Sequence, residues 1–132
     1  MRVIRFMSRK ELLKYLRGEE LVNNKEHTGR TNSIGFCFLK YKNGDEYYYQ
    51  QFLSGVVSDE VAVVFNTKKK LKKSYGIYAD PYGNFFDTIE IDEYSTTRYS
   101  KEDMEIEKIS IDIIDDLWEG KEAKWIIAKK WM

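Results

Sequence analysis

The chain is poor in the residues that usually announce chemistry. It holds one cysteine, one histidine and one proline. A single Cys excludes an internal disulfide and suits a reducing compartment, so a cytoplasmic location is expected. One Cys and one His cannot make a zinc site of Cys and His ligands within one chain, so no metal is expected. Net charge is missing too: 22 basic residues balance 22 acidic ones. A dedicated nucleic-acid binder needs an excess of positive charge, which argues against nucleic acid as the direct ligand. No apolar run approaches the roughly 18 residues that span a bilayer, so no membrane partner is expected. Residues 1–6 read as a strand rather than as a signal peptide.

What is present describes a folded domain. Hydrophobic residues make up 42% and charged residues 33% of 132 positions, which fits one domain over residues 1–132. Aromatics reach 15%, with 10 Tyr. Tyrosine fills strands by propensity and also anchors protein interfaces, and composition alone does not choose between these uses.

Read in order, residues 3–7 form a first strand. Ser8 then stands at an N-cap with Glu11 three residues on, and Leu12, Leu13 and Leu16 give a helix over 9–17 that Gly18 closes. Residues 24–32 are polar and read as a loop carrying His27, an exposed loop histidine. Residues 33–41 are apolar on both faces, hence a central strand. Gly35 inside it marks a bulge or a close approach by another group. Asn43-Gly44 is a hairpin signal that competes with a helix over 46–53 capped by Asp45, and the apolar spacing favours the helix. Strands follow at 60–65, 75–78 and 85–95, with a charged connection of five lysines in 68–73 and a turn at Asp80-Pro81-Tyr82-Gly83-Asn84. An alternating stretch at 104–110, a short helix at 112–118 stopped by Gly120, and a last strand at 125–128 complete the chain. The sum is a single α+β domain, with a mixed or antiparallel sheet of about six strands and two or three helices.

Three places invite a chemical reading. Glu93 falls on the strand face of Ile89 and Ile91, opposite Glu90 and Asp92. It is therefore the strand's exit into solvent, a change of register at a bulge, or a partly buried acid of the kind that does chemistry. Arg5 lies on a strand face opposite Ile4 and Phe6, where an arginine either faces solvent or grips a phosphate with two bonds. Ser33 closes Thr31-Asn32-Ser33 at the start of the central strand, where a hydroxyl holds a ribose or caps a turn. Cys37 sits mid-strand as a packed thiol, and the lysine run reads as a solvated connection.

The order first-strand Arg5, strand-start Ser33, late-strand Glu93 resembles the Arg–Ser–Glu pattern of ADP-ribosyltransferases, compact α+β enzymes that use NAD. The resemblance implies catalytic roles: Arg5 on the NAD phosphates, Ser33 bracing the nicotinamide side, Glu93 stabilising the oxocarbenium-like centre. The chain departs from that pattern at Thr31-Asn32, where the family has Ser-Thr, and at Ile91, where it has an acidic residue. Other phrases are similar to small phage and prophage proteins of Gram-positive bacteria. They are Arg5-Phe6-Met7-Ser8, Thr31-Asn32-Ser33 followed by Gly35-Phe36-Cys37-Phe38-Leu39, then Phe52-Leu53-Ser54-Gly55, Tyr75-Gly76-Ile77-Tyr78 and Glu93-Tyr94-Ser95-Thr96-Thr97. Such proteins often counter host defences, as anti-CRISPR proteins do. That resemblance implies a cofactor-free inhibitor binding a bacterial defence protein or ribonucleoprotein complex. Its surface would draw on Tyr47, Tyr48, Tyr82, Tyr94 and Tyr99 with the acidic Glu90, Asp92, Glu102 and Asp103. The alternative is an ADP-ribosyltransferase-like enzyme that takes NAD as its cofactor and modifies a host or defence protein.

Overall fold

A computed structural model of the chain describes residues 1–25, 35–43, 60–79 and 88–127. Strand β1, Arg2–Ser8, carries apolar residues on both faces, and Val3 and Ile4 are both fully buried. It lies inside the sheet for that reason. Ser8 ends it in an extended conformation, and its hydroxyl accepts the backbone N–H of Glu11, which starts helix α1, Arg9–Leu16. Leu12 and Tyr15 are the buried stripe of this helix. Gly18, at φ +81°, closes it while its N–H reaches the Tyr15 carbonyl.

The remaining elements are β2 (Leu21–Val22), β3 (Phe36–Lys40), β4 (Glu60–Thr67), β5 (Lys72–Ala79), β6 (Thr88–Thr96), β7 (Arg98–Tyr99), β8 (Met104–Ser110), α2 (Ile113–Trp118) and β9 (Ile126–Ile127). Seven strands form one antiparallel sheet in the order β5-β6-β3-β1-β4-β8-β9, and β2 pairs with β7 as a separate two-stranded ribbon. Between β4 and β8 the register slips at Val64/Phe65. Lys108 pairs with Val64 and Ile106 with Phe65, so Glu107 is the extra residue. Its carboxylate meets Arg2 at 2.6 Å.

The two faces of the sheet follow from the register. Ile4 pairs with Leu39 and Val64, and Leu39 pairs with Glu93, so these four share one face. Ile113 of α2 packs there, together with Tyr41 and the half-buried Trp125. The other face holds Val3, Phe38, Val63 and Phe65 beneath α1 and the ribbon, which contribute Leu12, Tyr15, Leu21 and Tyr99. Tyr99 is 0% exposed, and its ring lies 5.0–6.1 Å from the rings of Phe36, Phe38, Phe65 and Tyr15.

The expected α+β class is corrected by this architecture. The described residues are mostly β, a seven-stranded antiparallel sheet plus a two-stranded ribbon. Helix is confined to α1 and the six residues of α2, where a balanced set of two or three helices was expected. The β content is larger because short and charged segments pair as well. Lys72 and Lys73 belong to β5, whose only neighbour among the described residues is β6. There a charged side chain can stay in water while the backbone still bonds inward. Two-residue strands such as β2 and β7 carry no readable alternation. The helix expected over 46–53 lies outside the described residues.

Candidate functional site

Arg5 is directed to the α1 face, where it meets a carboxylate supplied by the first turn of the helix. Its Nε and Nη2 donate to Glu11 Oε2 and Oε1 at 2.7 and 2.8 Å, a two-bonded pair with both side chains only 15% exposed. Nη1 donates to the Cys37 carbonyl at 3.1 Å. The guanidinium carbon lies 5.0 Å from the Phe36 ring centroid and 5.7 Å from that of Phe38. The Tyr99 hydroxyl donates to Glu11 Oε2 at 2.7 Å. Burial alone would lower the Arg5 pKa, but the hydrogen bonds and charge of Glu11 outweigh it and hold it above the ordinary value. Burial alone would raise Glu11, but Arg5 outweighs that and holds its carboxyl below the ordinary carboxylate value. Burial pushes the Tyr99 hydroxyl up.

Beside this network a groove of about 640 Å³ opens between α1 and the segment carrying β2. The helix contributes Lys10, Glu11 and Lys14, the segment Glu19 to Asn23 with Lys25, and Phe36 closes one side. Two of its acids are engaged, Glu11 by Arg5 and Glu20 by Arg98 at 3.3 Å. Lys10, Lys14 and Lys25 have no ion-pair partner among the described residues.

The residues singled out from sequence are scattered. Glu93 is 1% exposed and stands in an unbroken register between Leu39 and Ser74, so it is buried within a regular strand and is neither at a bulge nor at an exit into solvent. It shares the face of Ile4, whereas Arg5 is the next residue of β1 and faces the other way. Arg5 and Glu93 are thus on opposite faces of one sheet and do not line a common cleft. Ser33, Tyr47, Tyr48, Tyr82 and His27 lie outside the described residues. Glu90 takes its place in β6 opposite Ile77. Asp92 faces Lys73 across 3.4 Å, and half-buried Tyr94 packs on the α1 side of the sheet. Glu102 is exposed, and Asp103 accepts the Ser100 N–H at 3.1 Å, closing the turn before β8. Tyr99 is corrected from a surface anchor to a core residue, because β7 folds back over the sheet and buries it. In the lysine run, Lys69 donates to the Arg98 carbonyl at 2.8 Å, and Lys68 and Lys73 face acids.

Sequence reasoning missed the role of Glu11, which it used only as the partner of Ser8. The available signal was an arginine on a strand followed six residues later by a glutamate in the first turn of a helix. It also missed Lys10 and Lys14, whose spacing of four residues puts them on one side of α1. Among the described residues no cluster of three or more His, Cys, Asp or Glu side chains could hold a metal ion, and no helix is long and apolar enough to cross a membrane. Comparison of the chain with protein-family models, with curated proteins and with solved structures finds no match.

Proposed function

We propose that the protein is a counter-defence protein of phage or prophage type, acting in the host cytoplasm by binding and inhibiting a bacterial defence protein complex. One observation carries the choice of binding over catalysis: Arg5 and Glu93 sit on opposite faces of the sheet. A transferase of the Arg–Ser–Glu kind needs its arginine and glutamate at one dinucleotide, because its catalysis is electrostatic positioning. What the chain offers instead is an antiparallel sheet with charged groups on its surface. Asp92 on β6 and Glu102 before β8 carry acidic groups there, half-buried Tyr94 lies nearby on β6, and Tyr47, Tyr48 and Tyr82 remain candidates on the sequence alone. Exposed acidic groups suit a partner whose own surface is basic, such as a groove meant for nucleic acid.

The test uses purified protein and purified CRISPR-type effector complexes. The expected result is stoichiometric co-elution and blocked target cleavage, both independent of NAD and both retained in Glu93→Gln. Labelled NAD supplies the opposing outcome. Transfer of label to an effector subunit, lost in a folded Glu93→Gln variant, would overturn the reading in favour of the enzyme.

A further inference from the structure

We propose that the groove between α1 and β2 binds an extended, acidic peptide segment of a partner protein, which adds as a strand beside β2. The proposal rests on the reading that the protein works by binding, and it adds to the acidic surface around β6 a second, basic site with its own ligand chemistry.

Three observations converge on this groove. The first is a backbone template. Leu21 pairs with Tyr99 and Val22 with Arg98, and the Asn23 N–H bonds the Thr97 carbonyl at 2.8 Å. Main-chain groups alternate in direction along a strand, so residues 21 and 23 turn theirs to β7 and Val22 turns its N–H and C=O the other way. No described residue takes either Val22 group as a hydrogen-bond partner. An open strand edge beside a helix is the geometry in which extended peptides add to a sheet. The Val22 side chain is 51% exposed beside it, an apolar contact for one residue of the incoming strand.

The second observation is charge. With Glu11 held by Arg5 and Glu20 by Arg98, the groove keeps Lys10, Lys14 and Lys25 against Glu19 alone. The surplus is positive in a protein whose net charge is zero. The third is spacing. Lys10 and Lys14 are four residues apart on a helix, about 6 Å along its axis. Side chains on one face of a strand repeat every two residues, at about 6.8 Å. Acidic side chains at every second position of the bound strand therefore meet successive lysines of α1, while its other side chains turn towards Val22 and Phe36.

The experiment uses a library of fluorescein-labelled ten-residue peptides with Glu at every second position and apolar residues between. A matching library carries Gln in place of Glu. Anisotropy should show binding by acidic members at least tenfold tighter than by their Gln counterparts, weakening as NaCl rises. Lys10→Glu with Lys14→Glu, and separately Val22→Pro, should each weaken binding more than tenfold. Leu13→Ser, on an exposed part of α1 outside the groove, should leave it unchanged. Should Val22→Pro not fold, the Val22 amide of the wild type is followed by NMR and should shift on peptide addition. Equal binding of both libraries, binding of neither, a stationary Val22 amide, or an oligo-dT that competes as well as acidic peptides would each overturn the proposal. A defence complex captured equally by wild type and the double lysine variant overturns this site and leaves the inhibitor reading standing. Acidic-peptide binding by a protein that captures no defence complex does the reverse.

Discussion

Glu11→Gln is the most informative single substitution in this molecule. The Glu11 carboxylate accepts two bonds from Arg5 and one from Tyr99, all at 2.7–2.8 Å, in a site where its own side chain and that of Arg5 are 15% exposed. Gln keeps one acceptor oxygen and turns an NH₂ group against the guanidinium, so the Arg5 charge is left buried without a counter-charge. Removing one partner of a buried pair costs about 3–5 kcal/mol. Two charges 4 Å apart at an effective dielectric of 20 attract by about 4 kcal/mol, which agrees in size. Against a total stability of about 5–15 kcal/mol, that is a large share. For a chain of 132 residues the unfolding entropy is about 0.28 kcal/mol per degree, so the melting temperature should fall by about 11–18 °C. Urea denaturation checks the free energy and calorimetry the temperature. A triple variant, Arg5→Met with Glu11→Met and Tyr99→Phe, should recover most of the loss, because it removes every polar member at once. The same network sets an acid limit. Folding holds the Glu11 carboxyl below its ordinary 4.5, so its stabilisation is complete above that pH and is lost as pH falls through the lower folded value. The wild type should therefore lose stability more steeply than Glu11→Gln below pH 4.5. A Glu11→Gln loss under about 1 kcal/mol would place the pair with ordinary surface ion pairs and refute the reasoning.

Two glycines make a controlled comparison. Gly35, at φ +93°, lies against the Thr96–Thr97 backbone, and a Cβ there would run into the Thr96 carbonyl oxygen; Gly35→Ala should cost about 3 kcal/mol or more by urea denaturation. Gly18, at φ +81°, has nothing within 4 Å of that position, so Gly18→Ala should cost only about 1 kcal/mol. Tyr99→Phe removes one bond to Glu11 and should cost about 1–2 kcal/mol, whereas Tyr99→Ala empties the centre of the aromatic cluster and should cost about 3–5 kcal/mol. Lys73→Ala, breaking a pair whose members are 62% and 42% exposed, should change stability by less than about 0.5 kcal/mol.

Local features were legible in the sequence and long-range ones were not. Ser8 with Glu11, and Gly18 after the last leucine, announce α1, because caps act within a few residues. Gly35 announces its close contact for the same reason: no other residue tolerates that backbone conformation so near another chain segment. Of the three outcomes the alternation leaves open for Glu93, burial is the one found. Which face Arg5 takes relative to Glu93 depends on two registers in series, Ile4 with Leu39 and Leu39 with Glu93. A slip of one residue in either reverses the answer, and no short-range pattern fixes either. The groove was illegible for a related reason. Its walls come from α1 and from β2, and β2 exists only because two residues find β7 more than seventy positions away.

Arg5 also permits a decisive test of whether the first strand serves a ligand or the fold. Three of its nitrogens are engaged, by Glu11 and by the Cys37 carbonyl, and the rings of Phe36 and Phe38 lie against the guanidinium. An NAD phosphate would have to displace Glu11, exchanging a preformed two-bonded contact for a similar one while carrying extra charge into a site that already holds a carboxylate. In the wild type, pyrophosphate and NAD should therefore leave the melting temperature unchanged at 10 mM. Glu11→Ala frees the guanidinium beside the groove and removes the competing charge. There 10 mM pyrophosphate should stabilise. At a dissociation constant of about 1 mM the gain is about 1.4 kcal/mol, or about 5 °C for a chain of this size. The gain should vanish in Glu11→Ala with Arg5→Met. Stabilisation of the wild type by NAD that Arg5→Lys abolishes would show that Arg5 exchanges partners readily, and would return the first strand to a ligand-binding role.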